Sequence, residues 1–413
     1  MRWSGKTLLA LVAMLAIPYF WAKKDVSEVK RELKYLPENL ENPHTRELIN
    51  SFDQFFKTAL KGSRTPGAAV VIIKDTSILY MRGLGIKNSR IRDSVDVNTV
   101  FRIGSLSKGF AGVLSGIMVQ EGRFGWNDRV KKYYPDFQLS TVDHTENATI
   151  THLLSHTTGM PYHTYSDLVE GGWTLRNIAA RLRRVRPAAP LGKMYNYQNA
   201  VFSLIEEVMQ TTTHHTYQQL LRDRIFEPAG METASVTYRE MLQTKDKAFP
   251  HDNLGGRMDI TAKYYNTAAA GGVNASINDM GKWLQVLLGN RPDIIKSSTL
   301  DHVFAPLITT SNERRVFPHW SPMRDAYYAL GWRVLDCGAD TLIYHGGYVN
   351  GYRSELAFDR KEKVAICVLF NAPSPIASSC IPTFFDMYRF HADEIKQWET
   401  TGKYKSALSY QSR

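Results

Sequence analysis

Phe101-Arg-Ile-Gly-Ser-Leu-Ser-Lys108 leads directly into Gly109-Phe-Ala-Gly-Val-Leu-Ser-Gly-Ile-Met118, and the run ends at Gly122. Leu106, Phe110, Val113, Leu114, Ile117 and Met118 recur at helical spacing, so Ser105 starts a buried helix. Ser105 and Lys108 share one face of its first turn, where the amine can reach the hydroxyl. The positive helix end and burial both disfavour the ammonium form and push the lysine toward the neutral base that activates a serine. An ordinary N-cap serine is the plain alternative. Ser-x-x-Lys also recurs at Ser27 and Lys30, so the motif needs its context. Gly109, Gly112 and Gly116 form a neighbouring stripe, which predicts another backbone packed closely there.

On the N-terminal side, Leu48, Phe52, Phe55, Phe56 and Leu60 predict a helix over residues 46 to 61. Ala68 to Ile73 and Ile78 to Met81 follow as two strands around Asp75 and Thr76. Toward the C-terminus, Ala329 to Leu335, Thr341 to Tyr344, Ser354 to Phe358 and Val364 to Phe370 read as strands. A helix carrying Ile381, Phe384, Phe385, Tyr388 and Ile395 on one side comes next. Residues 125 to 300 are mostly helical and loop-rich, with Ser276 and Asp279 forming a capping box. The expected fold is α/β: an antiparallel sheet flanked by terminal helices, holding an inserted, mostly helical domain.

The 413 residues are 43% hydrophobic and 11% aromatic, enough for a sizeable core in one or two domains. Cys337, Cys367 and Cys380 are an odd count without Cys/His metal spacing, so neither a disulfide framework nor a structural zinc is indicated. Arg2 and Lys6, the apolar run Leu8 to Ala22, and Lys23 and Lys24 have the layout of an export signal. We read residues 1 to 24 as a signal anchor or signal peptide, 25 to 45 as a linker, 46 to 395 as the folded domain and 396 to 413 as a tail. The protein is then expected outside the cytoplasm, in the periplasm or cell envelope, held to the membrane at its N-terminus. The net charge is +11. Its densest cluster, Arg176, Arg181, Arg183, Arg184 and Arg186, reads as a solvated helix face or a contact for anionic envelope polymers. No nucleic-acid motif accompanies it.

Tyr197 and Asn199, in Pro190-Leu-Gly-Lys-Met-Tyr-Asn-Tyr-Gln-Asn199, form a second element. A phenol beside a lysine can relay protons, and the amide can steady the lysine and a substrate. A buried structural tyrosine is the alternative, since Tyr-x-Asn recurs at Tyr264 and Tyr348. His345-Gly346-Gly347 forms a third element at a strand end. The glycines are read as letting a substrate approach the strand edge, and the N–H of Tyr348 could join that of Ser105 in an oxyanion hole. A glycine bulge would give the same letters.

In order, GSLSKGFAGVLSG, ITHLLSHTTGMP (150 to 161), YQN, RIFEPAGM (224 to 231), AAAGGVNAS (268 to 276), YALGW (328 to 332) and HGG resemble class C beta-lactamases and penicillin-binding-protein-like serine hydrolases. The resemblance spans residues 46 to about 395 and implies a beta-lactamase/transpeptidase-like fold with the site between sheet and helical domain. It also implies Ser105 as nucleophile, Lys108 and Tyr197 as acid/base pair, Asn199 as a supporting hydrogen bonder and residues 345 to 347 as the third motif. His152 and His156 fall in an ordinary family stretch and read as structural, not as a metal pair. Lactamases of this type usually carry lysine where this chain has His345, and a neutral imidazole holds a carboxylate less well. Gly346 also removes a hydroxyl common at the middle of that motif.

These readings imply acyl transfer through Ser105 on a small acyl, peptide or ester substrate, as a peptidase, amidase or esterase, with no metal or organic cofactor. A non-catalytic penicillin-binding-like receptor or envelope scaffold is the rival, and a membrane-surface protein using the arginine cluster is another.

Overall fold

The computed structural model describes residues 40 to 410, apart from 92, 311 to 316 and 318 to 319, with the backbone alone from 402 to 410. The export segment, most of the linker and the Ser27/Lys30 pair therefore lie outside the described residues. No helix among the described residues is long and apolar enough to cross a membrane.

Helix α1 (Pro43–Gly62) starts three residues before the sequence expectation. The cause is Asn42, whose side chain accepts from the N–H groups of His44 and Thr45 and caps the helix. Strands β1 (Gly67–Lys74) and β2 (Ser77–Asn88) form the expected hairpin, with β2 running past Met81 to pair β3 (Asp93–Ser94). Strand β4 (Val100–Arg102) leads into α2 (Ser107–Gln120). The helical insertion follows as short helices and loops. It closes with β5 (Asn274–Ser276), which pairs β4, and with α3 (Ile277–Leu287), where the Ser276/Asp279 capping box forms as read.

The C-terminal part adds β6 (Ile308–Thr309), β7 (Asp325–Tyr328), β8 (Arg333–Asp336), β9 (Thr341–Val349), β10 (Tyr352–Asp359), β11 (Val364–Phe370) and α4 (Cys380–Tyr410). The main sheet runs β3-β2-β1-β11-β10-β9-β8-β7-β6, and all its pairs are antiparallel. β1 is central and buried on both faces, which explains its unbroken apolar run. Val70 and Ile72 pack toward α1 and α4, where Phe52 and Phe384 meet edge to face at 5.6 Å. Ala69, Val71 and Ile73 pack toward α2 and α3, where Phe110 stacks on Trp283 at 4.0 Å. The α/β architecture expected from the sequence is the one found.

The expected strand Ala329 to Leu335 is found only from Arg333 onward, as β8, and Ala329 to Trp332 form a corner between β7 and β8. Gly331 has φ of +82°, which breaks extended pairing and favours glycine. That corner is the backbone predicted by the glycine stripe of α2. A Cβ on Gly112 would stand 2.0 Å from Leu330 O, and one on Gly109 would stand 2.3 Å from the Trp332 ring. Gly116 meets the side chains of Thr299 and Val303 instead. Cys337, Cys367 and Cys380 are free and buried.

Candidate active site

The nucleophile candidate sits between sheet and helical insertion. Ser105 lies in a 3-10 turn, Gly104–Leu106, just ahead of α2, and is partly exposed. Gly104 takes φ of +53° there, and its hypothetical Cβ would lie 2.9 Å from the nitrogen of Tyr348. Gly347 shows why the third motif is small. A Cβ on it would meet Ile103 O at 2.1 Å and Ser354 Oγ at 2.4 Å, and the Ser354 hydroxyl donates to Ile103 O at 2.7 Å. The glycine thus admits the nucleophile turn against β9. This packing brings the Ser105 turn and the Tyr348 N–H together, as an oxyanion hole requires. Past Tyr344, β9 pairs with β10 alone, so its other edge faces the site from His345 onward.

Gly346 differs from its sequence reading. It faces the opposite side of the sheet, where a Cβ would stand 2.6 Å from the Tyr344 hydroxyl and 3.0 Å from Glu355 Oε2. Its smallness accommodates that buried pair, joined by a 2.6 Å hydrogen bond, instead of a substrate.

Lys108 is fully buried on the first turn of α2. Its Nζ donates to Asn199 Oδ1 at 2.8 Å and to Ala270 O at 3.0 Å, and lies 3.4 Å from Ser105 Oγ. Burial, reinforced by the positive charge of Arg333, holds its pKa well below the usual lysine value. Nζ also stands 4.5 Å from the centre of the Tyr197 ring. Asn199, buried at the head of the helix Ala200–Ser203, therefore orients the lysine. One residue before that carbonyl's residue, the Ala269 N–H donates to Glu206 at 2.7 Å, and desolvation pushes the Glu206 pKa up to about 8. Glu206 carried no signal in the sequence, because its role appears only once the insertion folds back on α2.

Around Tyr197 lie His156, His163, Tyr328 and His345, with ring centres 4.5, 5.6, 6.4 and 6.4 Å away. Their hydrogen bonds fix the tautomers. The Gln198 N–H can only donate, so His156 Nδ1 accepts it at 3.2 Å and its proton sits on Nε2, 3.1 Å from the Tyr328 oxygen. Arg333 can only donate, so His345 Nε2 is an acceptor, 3.3 Å from Arg333 Nη1 and 3.2 Å from the Tyr328 hydroxyl. His345 Nδ1 then donates to Gly346 O at 2.8 Å. Both imidazoles are neutral, because burial and then nearby cations hold their pKa values well below the usual one.

Both histidines of the ITHLLSHTTG stretch are structural, as read, and His156 also walls the site. His152 caps the helix Ile150–Leu154 with Thr149. Arg333, missed in the sequence, stands with its guanidinium carbon 5.5 Å from the Tyr197 ring centre. It places a cation beside the neutral His345, in the region where lysine was expected to be lacking. The other Tyr-x-Asn copies serve the framework, as Asn266 donates to Val169 O and Asn350 accepts from Thr261 N–H.

The chain is 25% identical over 324 residues to unguisins hydrolase ungD' of Aspergillus campestris, covering 75% of this chain and 59% of that protein. It is 28% identical over 367 residues to unguisins hydrolase ungD of Aspergillus violaceofuscus, covering 81% and 63%. Protein flp of Staphylococcus aureus is 24% identical over 340 residues, covering 80% and 64%. The chain thus spans roughly 60% of the length of these relatives. The octameric penicillin-binding protein homologue from Pyrococcus abyssi shares the fold, with a TM-score of 0.70 at 22% identity over 83% of this chain and 76% of that one. A sequence profile described as Beta-lactamase matches residues 52 to 384, and the chain belongs to that family.

Proposed function

We propose that this protein is a serine hydrolase that works through an acyl-enzyme on Ser105. The observation that carries the reading is a fully buried lysine with a depressed pKa, oriented by Asn199 and Ala270 O and 3.4 Å from a partly exposed serine hydroxyl. The neutral Lys108 amine takes the Ser105 proton as Oγ attacks a carbonyl carbon, a contact that tightens when substrate binds. The N–H groups of Ser105 and Tyr348 stabilise the oxyanion. Lys108 and Tyr197 return the proton to the leaving group, and a water molecule then releases the acyl group from Ser105.

The substrate class is an amide, peptide or ester with an anionic group on the side of Arg333. The Arg333 guanidinium favours an anionic ligand, and the neutral His345 adds hydrogen bonding without charge. The hydrolase names of the two fungal relatives support the reaction class. The extracytoplasmic, membrane-anchored location belongs to the same proposal and rests on residues 2 to 24 alone.

Hydrolysis of a chromogenic series of acyl esters and anilides, with and without a carboxylate on the acyl part, tests the reaction. Ser105→Ala should abolish turnover, and Lys108→Met should lower it by about 10²–10⁴-fold, the usual contribution of a general base. Turnover that survives Ser105→Ala would contradict the proposal.

A further inference from the structure

On the opposite face of the sheet from the active site, α1 and α4 each carry a His-x-x-Glu pair: His44-Thr-Arg-Glu47 and His391-Ala-Asp-Glu394. Three-residue spacing brings each imidazole and carboxylate to one face of its helix. One donor atom from each of His44, Glu47 and His391 lies within 4.8 Å of the others. Glu394 Oε2 stands 3.1 Å from His44 Nδ1 and 3.5 Å from His391 Nδ1. The two helices are tied at this level, since Asn42, the α1 cap, donates from Nδ2 to Ile395 O at 3.3 Å.

His391 supplies the second, independent observation. Its side chain is 8% exposed, yet its Nδ1 is buried with no hydrogen-bond partner. A buried ring nitrogen without a partner is costly, so some group is expected to satisfy it.

We propose that His44, Glu47, His391 and Glu394 form a site for a divalent transition metal of the zinc type, which staples α1 to α4. Zinc takes nitrogen and oxygen ligands about 2.0–2.2 Å away in a tetrahedron, so neighbouring donors stand roughly 3.3–3.5 Å apart. The His391–Glu394 distance of 3.5 Å meets that spacing, and the His44–Glu394 distance of 3.1 Å lies just below it. Glu47, at an exposed position, already has a carboxylate oxygen within 4.8 Å of both imidazoles, and Glu394 reaches the group through its contacts with the two histidines. Two imidazoles with two carboxylates favour zinc and its first-row neighbours over magnesium or calcium, which prefer all-oxygen sets.

The test is calorimetric titration of the full chain, stripped with a chelator, with zinc chloride and separately with magnesium chloride. We expect one zinc bound per chain, a zinc-dependent rise in Tm, and no magnesium uptake at the same concentration. His44→Ala and Glu47→Gln, at exposed or half-exposed positions that leave the core intact, should each weaken zinc binding at least about tenfold. Ser105→Ala should leave it unchanged, separating this site from the histidines near Tyr197. Absence of zinc binding, or binding that neither His44→Ala nor Glu47→Gln alters, would overturn the proposal and leave two His–Glu contacts only.

Discussion

The Tyr328 hydroxyl lies 3.2 Å from His345 Nε2 and 3.1 Å from His156 Nε2, so one oxygen joins three stretches that are far apart in the chain. His156 comes from ITHLLSHTTG, Tyr328 from YALGW and His345 from the HGG strand. The backbone N–H of Gln198 feeds the same chain from the Tyr197 loop. Tyr197 is packed against this framework, which fixes where its phenol can stand relative to Lys108.

Tyr328→Phe removes that oxygen and little else. It strands the His156 Nε2–H in a fully buried place, so a loss of about 1–3 kcal/mol in stability is expected. Thermal unfolding would show a lowered Tm, and kcat should fall more than KM rises because the defect lies in orientation. Unchanged Tm and kcat would mean the chain of hydrogen bonds has no energetic role.

Lys108 ties activity and stability to pH with the same sign, since both rise with pH. Its native pKa lies below the unfolded value of about 10.4, so the native state binds fewer protons there. Stability is therefore lost as pH falls from that value toward the native pKa, with the full cost present below it. Activity needs the neutral amine and rises with pH through the native pKa. The difference in Tm between Lys108→Met and wild type should shift in favour of the variant as pH is lowered from about 10 to 7. A pH-independent difference would show a lysine of ordinary pKa.

How much of this was legible in the sequence follows from the range of the interactions. Ser105 with Lys108, the glycine stripe of α2 and the Ser276/Asp279 box are local patterns, and each was readable from spacing. The corner at Ala329 to Trp332 misled because its apolar run continues into the strand β8, and only the close approach of Lys108 O, 2.4 Å from a hypothetical Cβ on Gly331, shows the turn. Gly346 and Gly347 are adjacent letters with opposite duties, since alternate residues of a strand face opposite sides. Arg333 and Glu206 were invisible because they act across sequence distances that only the fold closes.

Arg333 supplies the test of substrate charge. Arg333→Met should raise KM for carboxylate-bearing substrates by about 10–100-fold, as a charged hydrogen bond contributes about 1.5–3 kcal/mol. Neutral esters should be spared in KM. Loss of the neighbouring cation should also raise the Lys108 pKa and move the acid limb of the pH profile to higher pH. Equal effects on both substrate types with an unmoved limb would place Arg333 in the framework alone.

Gly347→Ala tests the seat of the nucleophile turn. Its Cβ would meet the Ile103 carbonyl at 2.1 Å, so the turn must shift, at a cost of about 1–3 kcal/mol for overpacking and with most activity lost. Gly62→Ala, where nothing lies within 4 Å, is the matched control and should leave Tm and rate near wild type.

The central claim, an activated nucleophile at Ser105, is tested most directly by intact-mass and peptide mass spectrometry after exposure to a fluorophosphonate. The account predicts one adduct per chain, mapped to Ser105, absent in Ser105→Ala and slowed in Lys108→Met and Asn199→Ala. A folded wild-type protein that takes no adduct, or takes it equally well without Lys108, would contradict it.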